Sequence, residues 1–288
     1  MKVGIIGLGA MGRGMAGSLL EAGFQVAGHD PAVSEMFADK GEAFALFPKA
    51  FDLCADCDTI ILSLPTAAVV ETVIDGMLNA AKAGLVIIDT TTSHPDTSVR
   101  VSALLAARGV AYIDAPVSGG PSAAATGSLG MVLGGSEDDI SGVAPVLDAI
   151  TRIRTHVGGV GAGHALKIIN NALCAANLVL GAEAVRLGQA YGLDPQNVIT
   201  GVNSGSGRSG VTEVNFPRWI LSGDFDSGFT MKLMRKDVRL ARDLIAEAGL
   251  SLDMMGATVA AWEDSETAIA DGEDFNRIVA TVLEDEAK

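Results

Sequence analysis

The 288-residue sequence has little positive charge. Lysine and arginine together number 20 against 35 acidic residues, which gives a formal net charge of −15 at pH 7. A protein that binds a nucleic-acid backbone needs clustered lysine and arginine, and no segment here supplies such a cluster. We therefore expect no nucleic-acid partner.

The sequence also lacks long hydrophobic runs, although 49% of its residues are hydrophobic and its mean hydropathy is +0.36. Charges or glycines interrupt each apolar run well before the roughly 20 residues that a membrane-spanning helix needs. We expect a soluble protein with no membrane partner. Because exposed apolar surface promotes aggregation, this hydrophobicity predicts a large interior or a buried subunit interface, and hence a homodimer or homotetramer.

Metal-binding and redox motifs are missing too. Cys54 and Cys57 have CxxC spacing, but no second ligand pair accompanies them, so we interpret them as reduced side chains near a helix end. The four histidines have no metal-ligand spacing, so we expect no metal and interpret them as surface or capping residues, with His164 left unassigned. After Met1 a predicted strand begins without the features of a signal peptide, which favours a cytoplasmic location.

Short apolar runs alternate with amphipathic helical stretches up to about residue 157. The predicted strands are KVGIIG, FQVAGHD, TIILSLP, GLVIIDT, VAYIDAP, LGMVLGG and RIRTHVG. This alternation is typical of a parallel sheet covered by helices on both faces. It predicts an α/β protein with an N-terminal Rossmann-type doubly wound sheet.

Strand signals stop after residue 160, where the glycine-rich segment HVGGVGAGHALK leads into helical periodicity. We therefore place a domain boundary there. Residues 1–160 are predicted to form the dinucleotide-binding domain. Residues 161–288 are predicted to form an all-α substrate and oligomerisation domain that begins with a long interdomain helix.

The segment GLGAMG lies between the first predicted strand and a helix, which is the context of a dinucleotide-binding fingerprint. Gly7 allows the tight turn, Gly9 lets the backbone approach a pyrophosphate, and Gly12 permits close helix packing. The first helical residues, Ala10 and Met11, belong to the helix N-terminus, where unpaired N–H groups favour an anion. These residues predict a bound dinucleotide.

Asp30, about 20 residues further on, ends the second predicted strand. Its carboxylate is placed to accept hydrogen bonds from the adenosine ribose hydroxyls. A 2′-phosphate would meet this carboxylate with a repulsion of roughly 2 to 4 kcal/mol at an effective dielectric constant near 20. NAD is therefore expected as cofactor in preference to NADP.

Two later segments offer candidate chemistry. Ser118, Gly119 and Gly120 follow a strand, so they form either a carboxylate-binding loop or an ordinary turn. Lys167 and Asn171 lie four apart on one otherwise apolar helix face. The lysine either extends to solvent or lines a cleft between the domains, where desolvation would lower its pKa into the range of a general acid.

Four motifs, in order and at these separations, resemble the β-hydroxyacid dehydrogenase family, which includes 3-hydroxyisobutyrate dehydrogenases and tartronate semialdehyde reductases. They are GLGAMGRGM, DAPVSGG, GAGHALKIINN and LMRKD. The resemblance covers essentially the whole chain. It implies an NAD-dependent oxidoreductase that interconverts a small β-hydroxy acid and its semialdehyde by hydride transfer.

The resemblance also implies roles for individual residues. Lys167 corresponds to the catalytic acid/base, and Asn171 to a substrate-binding residue beside it. Ser118, Gly119 and Gly120 correspond to the loop that binds the substrate carboxylate. Three further residues correspond to segments along the nicotinamide half of the cofactor: Leu64, Pro65 and Thr92. Lys236 corresponds to a lysine that reaches the cofactor and the active site from the second domain.

Two alternatives stay open. Imine reductases share the glycine fingerprint and the two-domain plan but generally lack the active-site lysine. A non-catalytic NAD sensor or assembly protein would need only the glycine motif.

Arg208 would either hold an anionic group of the substrate or form a salt bridge.

Overall fold

The computed structural model describes residues 1–283. The last five residues of the predicted second domain, 284–288, therefore lie outside the described residues. The chain forms two compact units, Met1–Lys167 and a second unit that begins at Ile168. The domain boundary after residue 160 stays a prediction, since the division between the units falls seven residues later, inside a long helix.

The first unit is built on a nine-stranded sheet. Its strands are β1 Lys2–Ile6, β2 Gln25–His29, β3 Phe44–Leu46, β4 Thr59–Leu62, β5 Val86–Asp89, β6 Ala111–Asp114, β7 Val117–Ser118, β8 Leu129–Gly134 and β9 Thr151–Gly158. The spatial order is β3-β2-β1-β4-β5-β6-β8-β7, and β9 pairs with β8. The order reverses at β1, so the carboxyl ends of β1 and β4 flank the crevice in which ligands of this fold bind.

Helices cover both faces of the sheet. Those of the first unit are α1 Ala10–Glu21, α2 Ala50–Asp56, α3 Ala67–Met77, α4 Pro95–Ala106, α5 Gly120–Ala125, α6 Glu137–Gly142 and α7 Ala144–Ile150, with a 3₁₀ segment at Ala38–Ala43. Alternate strand residues enter two separate apolar cores, as the period of two requires. Ile61 and Ile88 pack on the α1 side, whereas Ile60 and Ile87 pack on the side of α2, α3 and α4. This confirms the doubly wound α/β prediction.

The sheet is mixed rather than wholly parallel. β8 pairs antiparallel with β6, where Asp114 lies opposite Gly134, and also antiparallel with β7. Apolar periodicity carries no information on strand direction, which is why the sequence did not indicate this reversal. The strands β3 and β7 were also not predicted, since two or three residues are too few to display a period.

The second unit is helical over its described residues. Its elements are the remainder of α8 Ala162–Ala190, then α9 Pro195–Asn203, a π-helical segment Val211–Ile220, α10 Met231–Glu247, α11 Asp253–Asp264, 3₁₀ segments Ser265–Thr267 and Phe275–Val279, and α12 Ala280–Leu283. Residues of α8 spaced three and four apart enter the core: Ala175, Leu178, Ala182 and Val185. Trp262 is fully buried there, and its indole N–H donates to the Ala175 carbonyl at 3.2 Å.

The helix α8 is unusually apolar. An 18-residue window of α8 reaches a mean hydropathy of 1.4, although glycine and asparagine residues interrupt its apolar runs. By length and composition alone α8 could cross a membrane. The core helix of a soluble protein passes the same test, and 44% of this window is buried.

Candidate active site

The glycine turn after β1 has the shape that the fingerprint predicts. Gly7 adopts φ of +93°, and a Cβ there would lie 2.2 Å from the Ser63 carbonyl oxygen. A Cβ on Gly12 would lie 1.8 Å from the Gly7 carbonyl oxygen, so only glycine allows this close packing. Gly9 has nothing within 4 Å of its Cβ position, which leaves open space in front of the turn.

The N-terminus of α1 fits a bound phosphate. Gly9 is the capping residue and offers no side-chain acceptor, and the first turn of α1, which starts at Ala10 and Met11, contains no acidic residue. The first N–H groups of the helix are thus left for an external anion. The open space beside Gly9 and this uncapped helix start together fit the pyrophosphate of a dinucleotide.

Asp30 directly follows β2 and is tied to the glycine turn. Its Oδ2 accepts a hydrogen bond from the Leu8 N–H at 2.8 Å, and its Oδ1 accepts one from the Ala32 N–H at 2.8 Å. Each carboxylate oxygen has a second lone pair for a ribose hydroxyl. The carboxylate is therefore fixed in place before any ligand arrives.

Three further residues predicted to bind the cofactor lie directly after the strands β4 and β5. Leu64 and Pro65 follow β4, and Thr92 follows β5. The Leu64 N–H donates to the Thr91 hydroxyl at 3.3 Å, which links these two loops. Pro65 is exposed and Thr92 is half-buried. These residues thus lie along the same carboxyl edge of the sheet as the glycine turn.

Lys167 and Ser118 are brought together although they lie 49 residues apart. The Lys167 Nζ donates a hydrogen bond to the Ser118 Oγ at 2.9 Å, so the lysine does not simply extend to solvent. Gly119 and Gly120 follow with φ of +116° and +68°, and Gly119 caps α5 without a side-chain acceptor. The loop therefore presents a hydroxyl, an ammonium group and glycine backbone, all of which suit a carboxylate.

In the second unit, Asn171 and Lys236 share one carboxylate. The Asn171 side chain is 6% exposed, and its Nδ2 donates to Asp237 Oδ2 at 2.6 Å. Lys236 Nζ lies 2.7 Å from Asp237 Oδ1. Asp237 is itself 1% exposed, so this buried carboxylate orients both predicted substrate-binding side chains.

A second buried carboxylate, that of Asp114, was not predicted as part of the site. It ends β6 within the DAPVSGG motif and is fully buried. Burial raises the pKa of the Asp114 carboxyl above its ordinary value, while His164 and hydrogen-bonding N–H groups act in the opposite direction. The available signal was an acidic residue at the end of a buried apolar strand, directly before the candidate substrate loop.

The remaining candidates lie outside the Lys167–Ser118 contact and the Asp237 contacts. His164, which the sequence left unassigned, is fully buried, and its Nδ1 lies 2.7 Å from Ser98 Oγ. Arg208 is largely exposed and lies 3.9 Å from Glu213, as in the salt-bridge alternative. Cys54 and Cys57 are free and buried, and burial raises their pKa values to about 11 and about 12, which keeps both thiols protonated.

Two family models match consecutive parts of the chain. The family described as "NAD binding domain of 6-phosphogluconate dehydrogenase" matches residues 2–159. The family described as "NAD-binding of NADP-dependent 3-hydroxyisobutyrate dehydrogenase" matches residues 161–282.

Individual proteins agree with these families. The 2-(hydroxymethyl)glutarate dehydrogenase of Eubacterium barkeri is 36% identical over 282 residues, covering 97% of this chain and 94% of that protein. The Mycobacterium tuberculosis 3-hydroxyisobutyrate dehydrogenase solved with L-serine has a TM-score of 0.86 at 30% identity, covering 97% of this chain and 98% of that chain. An imine reductase from Pseudomonas sp. has a TM-score of 0.64 at 18% identity, a likeness that shows the fold alone. The chain therefore belongs to the 3-hydroxyisobutyrate dehydrogenase family and is an NAD-binding β-hydroxyacid dehydrogenase.

Proposed function

We propose that the enzyme interconverts a small β-hydroxy acid and its semialdehyde, with Lys167 as the acid/base. The observation that carries this proposal is the 2.9 Å hydrogen bond from Lys167 Nζ to Ser118 Oγ. It brings a proton-transferring amine to a loop whose glycine backbone suits a carboxylate. A β-hydroxy acid carries both a carboxylate and a hydroxyl, and so it can engage both groups.

The cofactor is held, in this proposal, by the loops at the carboxyl edge of the sheet. The N–H groups of the glycine turn and of the first turn of α1 bind the pyrophosphate, and Asp30 binds the adenosine ribose. The residues proposed to contact the nicotinamide half are Leu64, Pro65, Thr92 and Lys236. Bound NAD would supply a hydride acceptor at C4 of its nicotinamide ring.

The chain's own residues handle the proton and the substrate charge. During oxidation the Lys167 amine accepts the hydroxyl proton as the carbinol carbon loses hydride, and during reduction Lys167 returns that proton to the developing alkoxide. Ser118, Gly119 and Gly120 bind the carboxylate, which fixes the carbon that reacts. Asn171 and Lys236, both oriented by the Asp237 carboxylate, add polar contacts to the substrate.

The names of the similar proteins narrow the substrate class. 3-Hydroxyisobutyrate, 2-(hydroxymethyl)glutarate and L-serine all have the form HOCH₂–CH(R)–COO⁻ and differ only in R. We propose that this chain acts on the same form. Glycerate, the alcohol that corresponds to tartronate semialdehyde, belongs to it as well.

The test is a substrate panel with NAD and, separately, NADP. The four hydroxy acids named above are mixed with the enzyme, and the absorbance of reduced nicotinamide is followed over time. We expect turnover of at least one acid with NAD and a lower kcat/KM with NADP. Tight NADH binding without turnover of any member, or turnover of a cyclic imine instead, would replace this proposal by the sensor or the imine-reductase alternative.

We further propose that the protein is cytoplasmic and self-associates as a homodimer or homotetramer. In the second unit, Leu173, Leu180 and Leu187 recur every seven residues along α8 and are about half exposed, and Tyr191, directly after α8, is 80% exposed. A seven-residue apolar row is the pattern by which helices pack against one another. Light scattering on a Leu180→Glu variant, which we expect to lower the mass of the particle, tests this.

A further inference from the structure

The start of α8 is held by one buried carboxylate. Asp114 Oδ1 accepts a hydrogen bond from the Gly161 N–H at 2.7 Å, and Asp114 Oδ2 accepts one from the His164 N–H at 2.9 Å. The first N–H groups of a helix lack partners within the helix, and a carboxylate there is favoured by both hydrogen bonding and the helix dipole. Asp114 therefore fixes the end of β6 to the first turn of α8.

Two glycines allow the backbone to approach this carboxylate. A Cβ on Gly134 would lie 2.5 Å from Asp114 Oδ1, and a Cβ on Gly163 would lie 2.6 Å from the Asp114 carbonyl oxygen and 2.9 Å from Oδ2. Real Cβ atoms do not approach other atoms so closely, so neither position accepts a larger residue without a shift of the backbone. The elements β6, β8 and α8 thus meet at Asp114 with no spare room.

A chain of buried hydrogen bonds supports the same helical turn. Tyr112 Oη donates to Asp89 Oδ2 at 2.7 Å. Burial and the Asp89 charge raise the pKa of Tyr112, and a hydrogen bond with Ser98 acts in the opposite direction. Ser98 Oγ also forms a hydrogen bond with His164 Nδ1 at 2.7 Å. His164 is thereby held by both its backbone N–H and its ring.

Lys167 follows His164 by three residues, and Ser118 follows Asp114 by four. Both partners of the Lys167–Ser118 hydrogen bond are therefore attached, within one helical turn or a short loop, to the same buried carboxylate. We propose that Asp114 is a positioning residue, which holds the Lys167 amine at the distance from the substrate loop that proton transfer needs. This inference rests on the proposed acid/base role of Lys167.

A matched pair of glycine variants tests the inference without touching a charged group. Gly163→Ala pushes a methyl group against Asp114, whereas Gly159→Ala, in the same segment, places its methyl group in open space. A displacement of 1 Å at a reacting group can cost on the order of 100-fold in rate. We expect Gly163→Ala to lower kcat by about 10- to 100-fold while the Kd for NADH stays near that of the wild type, and Gly159→Ala to change neither quantity.

A second pair of variants addresses the carboxylate itself. Asp114→Asn keeps the size of the side chain but turns one acceptor into an NH₂ group that opposes an N–H. Asp274→Asn in the second unit is the control, because Asp274 also accepts backbone hydrogen bonds, from the Ser227 N–H at 2.7 Å and the Asn276 N–H at 3.0 Å. We expect both variants to lower Tm and only Asp114→Asn to lower kcat, with the KM of the best acid from the panel changed less than kcat.

The outcomes separate this inference from the proposed function. Wild-type kcat in Lys167→Ala would refute the acid/base role and the inference with it. An inactive Lys167→Ala beside Gly163→Ala and Asp114→Asn variants with normal kcat would overturn the positioning role alone, as would equal losses of kcat in Asp114→Asn and Asp274→Asn. If Asp114→Asn does not fold, the comparison of Gly163→Ala with Gly159→Ala decides the question.

Discussion

The two units place their buried polar groups differently. In the first unit the buried carboxylates of Asp89 and Asp114 both lie where a strand ends, at the sheet edge that carries the glycine turn and the Ser118 loop. In the second unit the buried charged residues Arg235 and Asp237 lie two apart in the middle of a helix. Polar residues at the ends of parallel strands lie at the same edge of the sheet, whereas successive residues of a helix point in different directions around its axis.

The LMRKD segment illustrates the consequence. Arg235 is 1% exposed and bonds to Ser265 and to the Ile269 carbonyl, so it holds the chain that follows α11. Lys236 and Asp237, the next two residues, contact each other, and Asp237 also accepts a hydrogen bond from Asn171. In the first unit, position at the strand end indicates a role in the site. In the second unit, adjacent residues of one motif have different roles: Arg235 stabilises the fold, whereas Lys236 is a predicted site residue.

The sharpest test of this contrast is to remove the amine and leave the fold. Lys167→Ala should lower kcat by about 10²- to 10⁴-fold, or roughly 3 to 5 kcal/mol of transition-state stabilisation, because a placed acid/base supplies that much rate. Steady-state kinetics on the best acid from the panel give kcat, and NADH fluorescence gives the cofactor Kd. The Kd should stay near wild type, since the glycine turn is untouched, and turnover close to the wild-type rate would remove Lys167 from the mechanism.

Arg235→Ala, in contrast to Lys167→Ala, should lower the free energy of unfolding. The variant leaves the Ser265 and Ile269 carbonyl oxygens without this donor, and each buried acceptor left unsatisfied costs roughly 1 to 3 kcal/mol. Denaturant unfolding, followed by circular dichroism, measures this loss. The matched control is Arg239→Ala on the same helix: its ion pair with Glu266 is exposed and should contribute less than about 1 kcal/mol. Equal effects of the two variants would contradict the structural role of Arg235.

A smaller effect is expected from the carboxylate at the ribose position. Asp30→Asn removes a like charge that would oppose a 2′-phosphate, worth roughly 2 kcal/mol, or about 30-fold in the ratio of kcat/KM for NADP to that for NAD. Separate kinetics with each cofactor give the ratio. Because Asp30 also anchors the Leu8 N–H, some loss of NAD affinity is expected as well. An unchanged ratio would show that another residue selects the cofactor.

The sequence predicted those elements of the fold that have a clear apolar run or a long helical period. The short apolar runs TIIL and VIID predicted buried strands, and the 3.6-residue period predicted α10. The antiparallel pairing of β8 did not follow, since it depends on the contact of Asp114 with Gly134, which lie 20 residues apart in sequence.

The site was predictable only in part, for a related reason. The glycine turn is a local motif whose roles follow from backbone geometry, so Gly7, Gly9 and Gly12 could be assigned from the sequence. The Lys167–Ser118 contact joins residues 49 apart, and only the resemblance to a family indicated it. His164 stayed unassigned because the sequence around it does not reveal its hydrogen bond with Ser98, which lies on another helix.

The smallest expected effect concerns the access of solvent to the buried Tyr112 hydroxyl in the first unit. Burial, together with the charges of Asp89 and Asp114, raises the pKa of Tyr112 well above its ordinary value of 10.0. The folded protein should therefore keep this proton at a pH where the unfolded chain releases it. Stability should accordingly be fully present below pH 10 and fall above it, by about 1.4 kcal/mol per pH unit, until the folded protein also ionises.

The chain has two tyrosines, so a Tyr191→Phe variant leaves Tyr112 as the only one. Tyrosinate absorbance in this variant should stay absent as the pH passes 10 and should appear together with the loss of circular dichroism at higher pH. Ionisation near pH 10 with the circular dichroism signal intact would show that solvent reaches the phenol. The hydrogen-bond chain from Asp89 to His164 would then be open to water, and the second support of the Lys167 helix would be weaker than the buried geometry indicates.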